Sequence, residues 1–540
     1  MNSIPVYLAC DGYKTSHKRQ YNPKTEVVYS TWTPRKSRMA NVDKVVFFGL
    51  QYFIKEWLIE GFNKTFFNQP KNDIISEFKR IMKYYTGDTD TSHWEALYDL
   101  GYLPLKIEAV EEGTLIPVRC PMFTIQNTLP EFYWLTNFIE TIMSTEIWKP
   151  MTSATIALQY RKVLEKWSDK TCDTSEHLDY QAHDFSLRGM SGLDCGMSSG
   201  AGHLLSFKGT DTIPAILWLE KYYNANCENE VVGVSIPASE HSVQEANILY
   251  NNYNDIVVGE HANLSDFLSR VYPSGTFSYV ADTYNLWECI KNVLPQLKEE
   301  ILNRDGKVVI RPDSGNPCNI ICGLNTDDEY SWINNKLQSA YDEDGMGKLF
   351  EPLQNQNYAK ERYKGVIELL WDIFGGTINS KGYKVLNPHI GAIYGDAITL
   401  ERADEICRRL ESKGFASSNI VFGIGSYTYN MNTRDTFGFA LKTTYGIVDG
   451  KELILYKDPI TDSGEKKSQK GMVCVYKDIK GNIVYDDELD LAQKNKCNDL
   501  NMLQTVFLDG KLLRETSLHK IRQKLQEQNN KKENKAILEV

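Results

Sequence analysis

The chain has 540 residues, 42% of them hydrophobic and 24% charged, and its 60 Lys plus Arg against 71 Asp plus Glu leave a net charge of −11. That balance excludes collagen-like, coiled-coil and wholly disordered chains, and no stretch of about 18 uninterrupted apolar residues exists to span a membrane. An acidic protein repels nucleic acid and anionic membranes as a whole, so any phosphate chemistry must rest on local Arg and Lys clusters.

Taken in chain order, Met1 to Lys14 lacks the basic head and apolar block of a secretory signal. The 11 cysteines are odd in number and scattered from Cys10 to Cys497, which predicts a reduced, intracellular, cytoplasmic protein. Cys318 and Cys322 have no third and fourth ligand nearby, so no residue is directly assigned to a metal and the two thiols are read as packing. Residues 1–145 mix aromatic-rich segments such as Val45 to Leu58 with loops. Residues 430–515 alternate in the manner of antiparallel strands, as in Tyr445 to Lys457 and Met472 to Tyr485, and the two flanks are expected to form one mixed α+β domain. Residues 516–540 form a charged C-terminal tail, expected as a helix that frays.

Between the flanks, residues 146–429 have a rhythm of short apolar run, polar turn and amphipathic stretch, with runs ending at Phe185, Phe207, Ile236, Val280, Ile310, Tyr394 and Phe422. Helical spacing recurs over Asn285 to Asn303 and Thr399 to Lys413. Strands alternating with helices imply a parallel sheet, and the repetition predicts an irregular β/α barrel of the α/β class. An insertion over about 323–383 interrupts it, polar from Asn325 to Gly347 and helical from Ala359 to Phe374.

The run ends carry reactive residue types. Arg188 follows the first, Asp211 lies in Phe207-Lys208-Gly209-Thr210-Asp211, His241 follows Glu240, Asp282 follows Ala281, and Arg311 and Asp313 flank Pro312. Arg311 suits a phosphate fork, and Asp313 a sugar hydroxyl or a magnesium-bound water; a surface Arg–Asp pair at a turn reads equally. His241 beside a carboxylate suits a proton carrier or a phosphate nucleophile, although a lone histidine is ordinarily structural. Asp211 is either a helix cap or an acceptor for an amide NH₂. Gly423, Gly425 and Ser426 open a loop where backbone N–H groups can meet a phosphate, as a plain turn also would. Arg434, Lys442 and Lys457 read as surface charge.

The pieces in combination resemble the nicotinamide phosphoribosyltransferase family of type II phosphoribosyltransferases. They are DGYKTSHKRQYNP from Asp11, FFGLQY from Phe47, HDFSLRG from His183, SFKGTDT from Ser206, SIPASEHS from Ser235, IRPDSGNP from Ile310, GYKVLNP from Gly382, GDAI from Gly395, NTRD from Asn432 and YKDP from Tyr456. They keep the family's order across nearly the whole chain.

The resemblance implies transfer of 5-phosphoribose from phosphoribosyl pyrophosphate to nicotinamide, with Mg²⁺ held mainly by pyrophosphate and ATP as co-substrate. It implies a homodimer with shared sites, in which Phe185 and Tyr13 of the partner subunit sandwich the ring, Arg188 lies beside it and Asp211 receives the amide hydrogen. Asp282 and Asp313 match residues around the ribose, Arg311 a ligand of the phosphorylated substrate, and Gly395, Asp396 and Gly425 the 5′-phosphate region. Arg35, Arg434, Lys442 and Lys457 match basic residues reaching in from the partner, and His241 matches a phosphorylated histidine. The family's FGSGGG turn departs here to Phe422-Gly423-Ile424-Gly425-Ser426-Tyr427. The rivals are nicotinate as substrate, which Asp211 and Tyr13 oppose, and a noncatalytic nucleotide-binding protein, which joint retention of His241, Arg311 and Asp313 opposes.

Overall fold

The computed structural model describes residues 4–324, 358–395, 397–461, 467–497 and 499–537. Asp396 and the polar part of the insertion lie outside the described residues.

Apolar runs buried on both faces become a six-stranded parallel sheet, in the order Gly209–Thr210, Ala182–Asp184, Ile420–Ile424, Ile390–Tyr394, Val308–Arg311, Phe277–Val280. The Val234 to Ser239 segment joins its two edges. Thr210 N–H donates to Val234 O at 3.0 Å, and Ser278 N–H donates to Pro237 O at 2.8 Å. Parallel bridges Gly209 to Val234 and Ala238 to Ser278 complete the ring, so the rhythm of the sequence does close into a barrel. One run end moves. Phe207 is core, 1% exposed, because its N–H continues the turn after helix Leu193–His203 by donating to His203 O; the strand starts two residues later.

Caps fix where the barrel helices begin. Thr399 Oγ1 accepts from Arg402 N–H ahead of Leu400–Ser412, and Asn316 Oδ1 accepts from Cys318 and Asn319 N–H ahead of Pro317–Cys322. The Asn285 to Asn303 stretch is not one helix. It runs as Leu286–Glu288, a wider turn Cys289–Val293 and Lys298–Asn303, broken around Pro295, which has no N–H to donate.

The flanks meet in an antiparallel sheet ordered Lys451–Ile454, Phe439–Val448, Thr25–Pro34, Phe123–Asn127, Leu105–Ala109, Gln504–Leu508, Lys511–Leu512. Trp32 stacks between Phe123 at 5.8 Å and Phe439 at 5.7 Å, so its core needs both ends of the chain. The 32-residue helix Glu140–Thr171 runs from this core into the barrel: Met143 and Ile147 pack on the antiparallel sheet, Tyr160 and Leu164 on the parallel one. All 11 cysteines are free thiols. Among the described residues no helix is long and apolar enough to cross a membrane.

The final helix, Leu518–Ile537, is docked along its first half. Leu518, Ile521 and Leu525 fall on one face and are buried, and Arg522 donates to the carbonyls of Leu204, Val231 and Val232.

Glu112 ties three parts of this assembly together. Its carboxylate accepts from Gly49 N–H at 2.9 Å, Gln51 N–H at 2.6 Å and Tyr223 Oη–H at 2.7 Å, while burial pushes its acidity toward higher pH. Glu112→Ala leaves the Gln51 amide and the Tyr223 hydroxyl buried without an acceptor, while Gly49 N–H keeps Tyr223 Oη at 3.1 Å, and costs about 3 kcal/mol or more. Chemical denaturation checks this; a midpoint shift no larger than that of a surface Glu→Ala control would show these donors to be satisfied elsewhere.

Candidate active site

Several barrel strands end around Asp282. Its Oδ2 accepts from Asp313 N–H at 2.8 Å and Ser314 Oγ–H at 2.6 Å, and Oδ1 lies 3.3 Å from His241 Nε2. The Asp282 side chain is 4% exposed and that of His241 41%, so a buried carboxylate holds an accessible imidazole. A carboxylate can only accept, hence Nε2 is the donor, and in the neutral ring Nδ1 is the nitrogen that carries the lone pair. His241 opens the helix His241–Asn251, with Glu240 before it.

Arg311 and Asp313 are not paired with each other, which sets aside the surface ion-pair reading. Arg311 Nη2 donates to Ser239 O at 3.0 Å, and its Nε is buried with no acceptor among the described residues. A buried, unused guanidinium N–H suits an anionic ligand. Asp282 fixes the backbone of the turn that carries both residues.

Asp211 is not a helix cap. Helix Ile213–Tyr223 starts after Thr212 and takes no side-chain cap, whereas the Asp211 carboxylate accepts from His183 Nε2 at 2.8 Å and Ser235 Oγ–H at 2.6 Å. Burial raises its pKa, but those two hydrogen bonds and the charges of His183 and Arg311 outweigh burial and hold the group below its ordinary value. Arg311 thus acts on both halves of the mouth. His183 and Ser235 are the residues that sequence reasoning missed. Their signal was positional: His183 lies two residues before Phe185, on the same strand face.

Glycines make the room. A Cβ at Gly209 would lie 2.8 Å from His183 Nδ1, at Gly395 2.7 Å from Asp313 Oδ1, and at Gly423 2.6 Å from the Phe185 ring. Each proposed side chain therefore lies across a neighbouring strand at a point that has none of its own. Gly425 has open space where its Cβ would be, whereas Ser426 turns its hydroxyl against Gly189, in the Leu187–Gly189 turn that also carries exposed Arg188. Ser191 and Asn430 pin that turn to helix Ser426–Asn430. Asp396 lies outside the described residues; beside it Ala397 has a φ of 51°, with its carbonyl accepting from Arg402 Nη1 at 2.5 Å.

Of the remaining candidates, Lys442 lies on the antiparallel strand Phe439–Val448. Lys442 Nζ lies 3.6 Å from Glu140 Oε1, and Lys14 bonds the same carboxylate. Burial lowers the Lys442 ammonium's pKa despite Glu140, and the positive charges of Arg35, Lys14 and Lys457 lower it further, so these cations share one field. Tyr13 stands at its edge, 61% exposed, with its ring against His17. Arg434 is 3.7 Å from Asp435. Among the described residues no three His, Cys, Asp or Glu side chains group tightly enough to hold a metal by themselves.

Comparison with known proteins converges on one kind of chemistry. The sequence model of the nicotinate phosphoribosyltransferase (NAPRTase) family matches residues 180–511, and that of the nicotinamide phosphoribosyltransferase N-terminal domain matches residues 5–107. A nicotinamide phosphoribosyltransferase of Acinetobacter baylyi is 46% identical over 96% of this chain and 97% of its own. One from Mycoplasma pneumoniae is 33% identical over 84% of this chain and 92% of its own. The crystal structure of nicotinate-nucleotide pyrophosphorylase from Pyrococcus furiosus superposes with a TM-score of 0.52 at 14% identity, covering 98% of this chain and 97% of that one, which is a likeness of fold.

If Asp282 holds the Arg311 to Ser314 turn, Asp282→Ala frees the Asp313 amide. Its hydrogen exchange should then accelerate by roughly tenfold or more. Unchanged protection at that amide would assign the turn's rigidity to other contacts.

Proposed function

The chain belongs to the nicotinamide phosphoribosyltransferase family, and we propose that it transfers 5-phosphoribose from phosphoribosyl pyrophosphate to the ring nitrogen of nicotinamide, giving nicotinamide mononucleotide and pyrophosphate for NAD salvage. It is a pentosyltransferase. The observation that carries the choice of substrate is Asp211, an ionised acceptor at the mouth bonded to His183, whose ring in turn packs on Phe185. It accepts from a carboxamide NH₂ and repels the carboxylate of nicotinate.

In the reaction the C1–O bond to pyrophosphate breaks with its electron pair leaving on oxygen, and the pyridine nitrogen's lone pair forms the new C1–N bond. Cationic character grows at C1 as they exchange. Asp313, against Gly395, and the Asp282 carboxylate supply negative potential there, while the free Nε–H of Arg311 is the donor for a phosphate oxygen. Magnesium suits this donor set as a companion of the diphosphate, since it is commonly bound by one or two carboxylates with substrate phosphates. Asp282 already accepts from two donors and faces His241, so Asp313 is the side chain that would hold the ion, through water. When bound, it neutralises charge on the leaving group.

His241 Nδ1 is the atom that would take the γ-phosphoryl of ATP, with the N–P bond forming as the P–O bond to ADP breaks and Asp282 retaining the Nε2 proton. The site is completed in a homodimer, where Tyr13 supplies the second face of the ring, and Arg35, Arg434, Lys442 and Lys457 bring positive charge to phosphates in the neighbouring barrel. Eleven free thiols fit work in the cytoplasm.

Pyrophosphate release from phosphoribosyl pyrophosphate with Mg²⁺, comparing nicotinamide with nicotinate, each with and without ATP, tests the reading. Release with nicotinamide is expected; preference for nicotinate overturns the part given to Asp211, and silence with both from folded protein favours a binding protein. Asp211→Ser should lower the amide-to-acid preference by roughly tenfold or more. His241→Ala should abolish ATP stimulation while leaving ATP-independent transfer; persistence of ADP formation coupled to transfer would remove the phosphohistidine.

A further inference from the structure

Asp211 has two oxygens, and the described residues engage one. Both His183 Nε2, at 2.8 Å, and Ser235 Oγ, at 2.6 Å, meet Oδ1. The backbone beneath is fixed as well: Asp211 N–H donates to Asp184 O at 2.9 Å, and Asp211 O accepts from Ile213 N–H at 3.0 Å. The three residues come from three consecutive segments of the ring. His183 is on Ala182–Asp184, Asp211 follows Gly209–Thr210, and Ser235 lies on the segment that closes the barrel.

We propose that His183 and Ser235 are positioning residues for substrate selection: by both donating to Oδ1 they fix the carboxylate's rotation and leave Oδ2 as the acceptor for the substrate's amide. The inference rests on the nicotinamide reading and deepens it.

Two further observations support it. The His183 ring packs against Phe185 with centroids 4.6 Å apart and planes 40° from parallel, so the imidazole that orients the acceptor also backs the ring proposed to stack on the substrate. It can lie there because residue 209, its direct partner across the parallel pair, is glycine; a Cβ would come within 2.8 Å of His183 Nδ1. Deprived of its two donors, the half-exposed carboxylate of Asp211 would rotate freely. An acceptor that must be reoriented on each encounter discriminates less than one already aimed.

A purely structural histidine predicts loss of fold or of all activity together. A positioning role predicts a split. His183→Phe and Ser235→Ala should each raise KM for nicotinamide by roughly tenfold, shrink its advantage over nicotinate, and leave KM for phosphoribosyl pyrophosphate unmoved. His183→Gln, whose amide can still donate toward Oδ1, should recover part of the preference. Gly209→Ala, which touches no substrate but crowds the imidazole, should reproduce the His183→Phe pattern in milder form.

The result that overturns the inference alone is a wild-type enzyme that prefers nicotinamide together with His183→Phe and Ser235→Ala variants of unchanged amide-to-acid ratio. A global loss in both KM values, not relieved in His183→Gln, also overturns it. A wild-type protein that prefers nicotinate overturns the substrate reading, and the inference with it.

Discussion

Parallel strands closed into a ring bring every carboxyl-terminal end to one small mouth, and space there is the limiting quantity. Side chains that do chemistry must point into the same volume. The fold meets this by placing Gly209, Gly395 and Gly423 where the neighbouring strand's His183, Asp313 and Phe185 cross. Where a contact is tight, the glycine is a statement about its neighbour. Gly425, with nothing near its missing Cβ, is open in a different sense, leaving its backbone approachable.

The electrostatics follow from that crowding. The chain is acidic overall, yet around the mouth each carboxylate faces a nitrogen donor, Asp282 against His241 and Asp211 against His183, and Arg311 adds positive charge that reaches Asp211. On the antiparallel sheet cations instead crowd around Lys442, whose Glu140 counter-charge is shared with Lys14. Burial lowers the Lys442 ammonium's pKa, an arrangement that an anionic ligand would relieve.

Much of this was legible in the chain because its signals were local. The seven apolar runs foretold the ring, and Asp282, Arg311 and Asp313 were visible as polar residues directly after them. Pro295 could have warned that Asn285 to Asn303 would not be one helix. What was not legible depended on pairing between strands. His183 precedes the aromatic residue that drew attention, and Ser235 belongs to a segment that joins the ring through isolated bridges, so neither showed a pattern of its own. Lys442 looked like surface charge because its burial comes from packing between distant parts of the chain. The tail was expected as a helix, but its charge hides the Leu518, Ile521 and Leu525 stripe by which it docks.

The two aspartates best separate scaffold from recognition. Asp282 is 4% exposed, accepts from Asp313 and Ser314, and faces His241, so its first consequence is geometry: it holds a turn and one imidazole nitrogen. Asp211 is 46% exposed, and its two donors converge on a single oxygen. A carboxylate that is enclosed and used on both oxygens fixes the protein around it, whereas one that is braced on one oxygen and open on the other presents an acceptor of set direction. A sequence shows both as Asp after a short apolar run; the difference lies in which strands stand beside them.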